Sequence, residues 1–230
     1  TLDKVLWHQD EPFGSASIYA QWHVFQLAKS GGVTVMLDGQ GSDEQLAGYY
    51  PFYGTRLAEL MVRGRWLQLV REMKKTIGEG HVQRGAVLRR LIGALLPSSL
   101  MSLLPADKKS ENDWFDIQKL DAKPIHWRQH FGEFKPNVNA ALRTQMMYTN
   151  LPMLLHWEDR NSMAHSIEAR VPLLDYRLVE YIASLPSDFK IADATTKRIL
   201  RDGMKKHVPE MIRQRRDKMG FVTPEEHWVR

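Results

Sequence analysis

Three clusters hold the residues with the means to do chemistry. The first is Asp38-Gly39-Gln40-Gly41-Ser42-Asp43-Glu44. The second runs from Glu158-Asp159-Arg160-Asn161-Ser162-Met163 to Glu168-Ala169-Arg170-Val171-Pro172-Leu173-Leu174-Asp175. The third is Thr196-Lys197-Arg198-Ile199-Leu200-Arg201. Ahead of the first cluster, Val33-Thr34-Val35-Met36-Leu37 reads as a short buried strand. A helix is expected straight after the glycine loop, with Ser42 as its cap and Gln45 in the capping-box position. Such a turn binds anions: strand ends open onto a crevice, glycine lets backbone approach, and free helix N–H groups face negative charge. Asp43 and Glu44 put carboxylates at the same point, and carboxylates beside phosphates call for a Mg²⁺ between them. Lys197, early in a predicted helix, opposes the helix dipole and makes sense if it faces an anion. Taken singly, Glu158 with Arg160, or Glu168 with Arg170, also reads as an ordinary ion pair tying helices together. His126 and His130 have the spacing of a metal pair, but no third ligand is apparent, so surface or core histidines are favoured. His156 and His165 flank the second cluster.

The elements that must position these clusters follow from periodicity. Residues 1–75 read as an α/β part. Residues 4–8 suggest a strand, Asp10-Glu11-Pro12-Phe13-Gly14-Ser15 a turn, and 18–29 a helix with Ile18, Trp22, Phe25, Leu27 and Ala28 on its apolar face. Ser30-Gly31-Gly32 stops that helix before the strand. A helix from Asp43 and another over 56–77 follow. One or two strands do not make a sheet, so the remaining strands are expected upstream of Thr1. Residues 76–138 form a variable helical or loop insertion. There, Val87, Leu88, Leu91, Ile92, Leu95 and Leu96 make a stripe opposite Arg89 and Arg90; a packed helix is favoured over a membrane-surface one. Pro97 and Pro105 punctuate, and 107–113 is polar loop. Residues 139–230 are helical. A long helix over 140–161 has Pro152 as a kink or new start. Residues 166–172 connect to a helix over 175–185 with Leu178, Val179 and Ile182 inward. Thr195 or Thr196 caps the next, striped by Ile199, Leu200 and Met204.

The 230-residue chain is long enough for a real core, with 43% hydrophobic and 26% charged residues. No cysteine is present. That excludes disulfides, thiolate catalysis and sulfur-based zinc sites, and it fits a reducing cytoplasm. No apolar run is long enough to cross a bilayer, so no membrane partner is expected. A net charge of +5 is mild. It permits phosphate binding, but nucleic acid is not expected as a partner. The start without Met and the end soon after Thr223-Pro224-Glu225-Glu226 read as a piece of a longer protein.

The blocks together resemble the synthetase domain of glutamine-hydrolysing asparagine synthetases. The family pattern Leu-Ser-Gly-Glu-Gly-Ala-Asp-Glu is similar to Leu37-Asp38-Gly39-Gln40-Gly41-Ser42-Asp43-Glu44. Asp-Arg-x-Ser-Met-Ala…Glu-x-Arg-x-Pro-Phe-Leu-Asp resembles the stretch from Asp159 to Asp175, with Leu174 before the final Asp. Thr-Lys-x-Ile-Leu-Arg matches from Thr196 to Arg201, and Arg-x-Lys-x-Gly-Phe from Arg216 to Phe221. The Asp10-Glu11-Pro12 turn is also a family feature. Ordered blocks are far more specific than one glycine loop. β-Lactam synthetases share much of this domain.

The resemblance implies a mostly α fold with a small α/β part, within an adenine-nucleotide α-hydrolase-like, PP-loop synthetase domain. It implies that aspartate is activated by Mg-ATP as β-aspartyl-AMP, and that ammonia from glutamine then displaces AMP. Adenylation gives a poor acceptor a leaving group, while Mg²⁺ and lysine neutralise pyrophosphate. By carry-over, Leu37 and Gly39 line the AMP site, Asp43 holds Mg²⁺, and Lys197 contacts phosphates and serves catalysis. Glu158, Asp159 and Arg160 lie near the acceptor, with Glu168 and Arg170 as a supporting pair. A glutaminase domain upstream is implied, and a homodimer is compatible with the family.

Two departures stand out. The family's Ser and Glu in the first block are Asp38 and Gln40 here. The family Glu is credited with handling the ammonia proton, and a glutamine amide has no titratable oxygen to do so. Asp38 is the expected substitute. The family's Ser-Gly-Gly-x-Asp-Ser ATP loop is not matched; Ser30-Gly31-Gly32-Val33-Thr34 lacks the Asp. The 230 residues alone are therefore not expected to synthesise asparagine. Open alternatives are a related amidotransferase or β-lactam-type synthetase on another carboxylate, and a non-catalytic module of the same fold.

Overall fold

The computed structural model describes residues 1–78 and 136–216, with 85, 88, 91, 92, 95, 223 and 224 besides. The stripe around Leu91, the loop over 107–113, the His126/His130 pair and the block from Arg216 to Phe221 lie wholly or mostly outside these residues. The described part is helix-rich, with two small sheets. It divides into two compact units, Thr1–Tyr49 with Ala141–Arg230, and Tyr50–Ala140.

The first unit opens with α1 (Leu2–Gln9) and α2 (Ser17–Ser30). A strand was expected over residues 4–8, but the segment is helical. Val5 and Gln9 are buried one turn apart while Trp7 is exposed, a helical face rather than an alternating one. In α2, Ile18, Trp22 and Phe25 are buried as expected, but Leu27 is not. The chain turns at Gly32, in the left-handed region, into β1 (Val35–Leu37).

Strand β1 pairs in parallel with β2 (Glu168–Arg170), Val35 opposite Glu168 and Leu37 opposite Arg170. Strand β2 lies within the stretch 166–172 expected to be a connector. Nor is β1 buried: Leu37 is 71% exposed. Its β-branched character fixed the strand but said nothing of what covers it.

After β1, α3 is a single turn (Ser42–Gln45). The expected capping box is absent. Gly41, at φ 85°, takes the cap position, and the Gln45 amide donates instead to Leu173 O at 2.8 Å. Downstream, α6 is Val138–Met147 and α7 is Asn150–Ala164. The expected helix over 140–161 is thus broken before Pro152, which sits in the first turn of α7, where its missing N–H costs nothing. Helix α7 packs on α1, α2 and β2. Val5, Ile18 and Trp22 form the core there, with Trp157 and Ala164 against them. A buried amide chain stitches the same helices: Gln9 Nε2 donates to Asn161 Oδ1 at 2.9 Å, and Asn161 Nδ2 donates to Ile18 O and Gln21 Oε1.

Beyond β2 come α8 (Tyr176–Ser184), capped by the Asp175 carboxylate at Arg177 N, and α9 (Ser187–Lys190). Strands β3 (Ile191–Ala192) and β4 (Thr195–Thr196) form an antiparallel hairpin. Its two turn residues, Asp193 and Ala194, both have positive φ, as a two-residue hairpin demands. The threonines expected to cap α10 (Arg198–Gly203) are therefore strand residues, and Lys197 takes the cap position. A short α11 (Glu210–Arg213) follows.

The second unit holds α4 (Pro51–Val62) and α5 (Trp66–Gly78). One helix had been expected over 56–77. Gly64, at φ 69°, ends the first, with its N–H bonded to Met61 O. Leu57, Ala58, Leu60, Leu69 and Leu91 make the core. Arg56, 1% exposed, bridges Glu59 at 3.2 Å and Glu72 at 3.1 Å.

Candidate functional site

Two constellations form at the C-terminal end of β1, both within the first unit. The first joins the loop after β1 to the hairpin before α10. Lys197 adopts the left-handed region, φ 53° and ψ 33°, unusual for a side chain with a Cβ. Its N–H donates to Leu46 O at 3.0 Å, which fixes the backbone. Its Nζ then reaches Asp43 Oδ1 at 2.8 Å and donates to Ser42 Oγ at 3.0 Å. The anion that the lysine was expected to face is, within the chain itself, Asp43. Both side chains keep some exposure, 24% and 14%. Gly48 closes over the pair. A Cβ there would fall 1.7 Å from Asp43 Oδ1 and 2.7 Å from Lys197 Cε.

The same turn carries a neighbouring cluster. Glu44, 1% exposed, accepts from Tyr49 Oη and from Asn150 Nδ2 at 2.8 Å, and Asn150 also donates to Tyr49 Oη at 3.0 Å. Burial and the Glu44 carboxylate push the Tyr49 hydroxyl well above its ordinary range, so it stays a donor. Sequence reasoning gave Tyr49 and Asn150 no role. The buried acid after Asp43 was the one signal that partners had to exist.

The second constellation is Asp38, Gln40 and Glu158. Asp38 N donates to Arg170 O at 2.8 Å and extends the parallel ladder by one step. Glu158, on α7, is 2% exposed. Neither of its oxygens has a hydrogen-bond partner among the described residues, and neither does Asp38 Oδ2. Burial raises the Glu158 carboxyl to about 7; the Asp38 charge adds to this, and the Gln40 amide opposes it.

The remaining sequence-derived residues are dispersed. Leu37 and Gly39 are exposed on either side of Asp38. Asp159 and Arg160 turn outward on α7 while Glu158 turns in, and Arg160 pairs with Asp10 at 3.1 Å. Glu168 and Arg170 pair at 2.9 Å across one face of β2, both exposed. His156 lies 3.2 Å from Gln9 O. His165 packs edge-on against Trp22, and burial holds its ring below the ordinary histidine range. Among the described residues no group of three His, Cys, Asp or Glu could hold a metal, and no helix is long and apolar enough to cross a membrane.

Comparison with known proteins places these features in a family. The family model described as asparagine synthase matches residues 1–230. The chain is 26% identical to "Asparagine synthetase [glutamine-hydrolyzing] 1" of Bacillus subtilis, over 100% of the chain and 37% of that protein. It is 27% identical to the "Putative asparagine synthetase [glutamine-hydrolyzing]" of Mycobacterium bovis, over 100% of the chain and 35% of that protein. It is also similar, at 22% identity, to "Amidase chyE" of Penicillium rubens, over 99% of the chain and 38% of that protein. The chain thus spans little more than a third of the length of these relatives. No solved structure gives a significant match. With the whole chain covered by one family model, the chain belongs to the asparagine synthase family.

Proposed function

We propose that the chain is the synthetase portion of an ATP-dependent asparagine synthase. It would join aspartate to AMP through the β-carboxylate, releasing pyrophosphate, and ammonia drawn from glutamine would then displace AMP. The single observation that carries this reading is the Asp43–Lys197 pair, held at 2.8 Å beneath Gly48 at the end of a parallel strand. An anion and a cation locked together in a glycine turn are suited to polyphosphate. The lysine can turn to phosphate oxygens while the carboxylate takes a divalent cation. Asp43 fits a Mg²⁺ shared with substrate phosphates rather than an all-protein cage, since no third ligand stands near it among the described residues. That ion would neutralise phosphate charge. Ser42, hydrogen-bonded to Lys197, would keep the ammonium aimed. The exposed backbone at Leu37 and Gly39 would line the AMP site, within an adenine-nucleotide α-hydrolase-like fold.

The test is aspartate-dependent exchange of labelled pyrophosphate into ATP by the full-length protein. Exchange that needs aspartate and magnesium is expected; its absence with aspartate refutes the reading. One observation favours a second carboxylate substrate. Asp38 and Gln40 depart from the family pattern beside the acceptor position, and a fungal relative is described as an amidase. A related amidotransferase or β-lactam-type synthetase would exchange pyrophosphate with another carboxylate and not with aspartate.

A further inference from the structure

We propose that Glu158 takes the proton of the attacking amine in this chain, the task that Gln40 cannot perform, with Asp38 as a positioning residue beside it. This rests on the adenylation reading above. Three observations, from the loop after β1 and from α7, converge. Position 40 holds an amide, which has no basic oxygen. Glu158 comes to the same loop from α7. It is 2% exposed, and both carboxylate oxygens lack a hydrogen-bond partner among the described residues. A buried carboxylate left without donors is costly unless a substrate group completes it. Asp38 Oδ2 is left in the same state, and the Asp38 backbone is pinned to Arg170 O at 2.8 Å. A buried acid with both oxygens open, a half-buried acid with one open and the Gln40 amide beside them bound a place that can receive a further N–H donor.

The chemistry balances. The amine nitrogen forms a bond to the acyl carbon of the acyl-adenylate. One N–H proton passes to a Glu158 oxygen. The acyl C–O bond breaks, and its electron pair leaves with AMP. Only one new N–H must be removed for the product to be a neutral amide, so one carboxylate suffices.

The groups bearing on Glu158 from packed elements are few. Asp38 and Gln40 face it from the loop after β1. Next to it on α7, Arg160 is engaged by Asp10, and His156 lies 3.7 Å from Glu11. The pair on β2, Glu168 and Arg170, is exposed and self-satisfied. The Glu158 carboxyl, raised to about 7 by burial and by Asp38, is therefore a base of suitable strength near neutrality.

The experiment uses the full-length protein, with Glu158→Gln and Asp38→Asn variants. It measures carboxylate-dependent pyrophosphate exchange, amide formation with ammonia, and transfer to hydroxylamine. Hydroxylamine is the stronger nucleophile and depends less on a base. For Glu158→Gln the expected result is ammonia transfer down by about 10²-fold or more, with exchange and hydroxylamine transfer each reduced by less than about tenfold. Asp38→Asn should move the pH profile of ammonia transfer without abolishing it. Equal loss of all three activities, or unimpaired ammonia transfer, overturns the proposal. Should Glu158→Gln fail to fold, wild type still decides. Ammonia transfer at constant free ammonia should fall below about pH 7 while exchange does not, and identical profiles overturn the assignment. A wild type without carboxylate-dependent exchange overturns the adenylation reading instead.

Discussion

Gly48→Ala is the sharpest probe of the Asp43–Lys197 pair. Gly48 does not occupy the left-handed region, so alanine meets no backbone penalty and the effect is steric. The new methyl would stand 1.7 Å from Asp43 Oδ1, 2.6 Å from Asp43 Cγ and 2.7 Å from Lys197 Cε. Ordinary contact needs about 3.5 Å, so the carboxylate must retreat by roughly 2 Å. Lys197 cannot simply follow, because the same methyl blocks its chain and its backbone is tied to Leu46 O. The 2.8 Å pair therefore opens or rotates away. A displacement of about 1 Å in a catalytic constellation can cost about 10²-fold, so pyrophosphate exchange by the full-length variant should fall by at least about that factor. Overpacking should cost about 1–3 kcal/mol of stability, read from urea unfolding. Gly14→Ala, where nothing lies within 4 Å of the new methyl, is the control and should leave both unchanged. A Gly48→Ala protein with exchange within about threefold of wild type would refute the claim that this close approach sets the pair.

Three further outcomes follow from buried polar groups. Asn161→Ala should lower unfolding stability by about 2–3 kcal/mol, because Gln9, Gln21 and Ile18 O lose their shared partner. Arg56→Met should cost about 3–5 kcal/mol by chemical denaturation, because it takes the buried guanidinium from Glu72 and leaves Glu59 with Arg63 alone, both carboxylates being nearly inaccessible. Glu158→Gln should stabilise the protein in a pH-dependent way. The carboxyl rises from 4.5 to about 7 on folding. Wild type therefore matches the variant below about pH 4.5, loses ground as pH rises, and trails by about 3 kcal/mol above pH 7. Urea midpoints from pH 4 to 8 that stay parallel would contradict this.

What could be read from the sequence depended on whether local chemistry or distant partners decided the structure. The glycine turn after β1, the Pro152 break and the helix start at Asp175 are local devices, and the structure keeps all three. The failures trace to distant partners or to an unmarked turn. The short apolar run over residues 4–8 suggests a strand, yet Val5 and Gln9 are drawn to α7, 148 or more positions away. Strand β2 is three residues long and exists because β1 offers it an edge. The β3–β4 hairpin turns on Asp193-Ala194, without the glycine that marks such turns. In the site, Lys197 reads as a cation facing an anion because it opposes the helix dipole, but that Asp43 is its partner within the chain depends on where the β3–β4 hairpin brings it. That Glu158, rather than Asp159 or Arg160, turns inward depends on helix phase against β2, which no single run of residues encodes.

The pair that closes under Gly48 also says something about how this chain tolerates change. Ser42 and Lys197 are 155 positions apart, and the whole Tyr50–Ala140 unit lies between them in sequence. The entropy of closing such a loop grows only with the logarithm of its length, so doubling it costs about 0.6 kcal/mol. Insertions or deletions between the two halves are thus nearly silent for the equilibrium stability of the site. Their effect falls on speed, because contacts this distant in sequence form late and slowly. Lineages carrying this site should vary freely in the length of the intervening segment while holding the spacing inside the two flanking segments fixed.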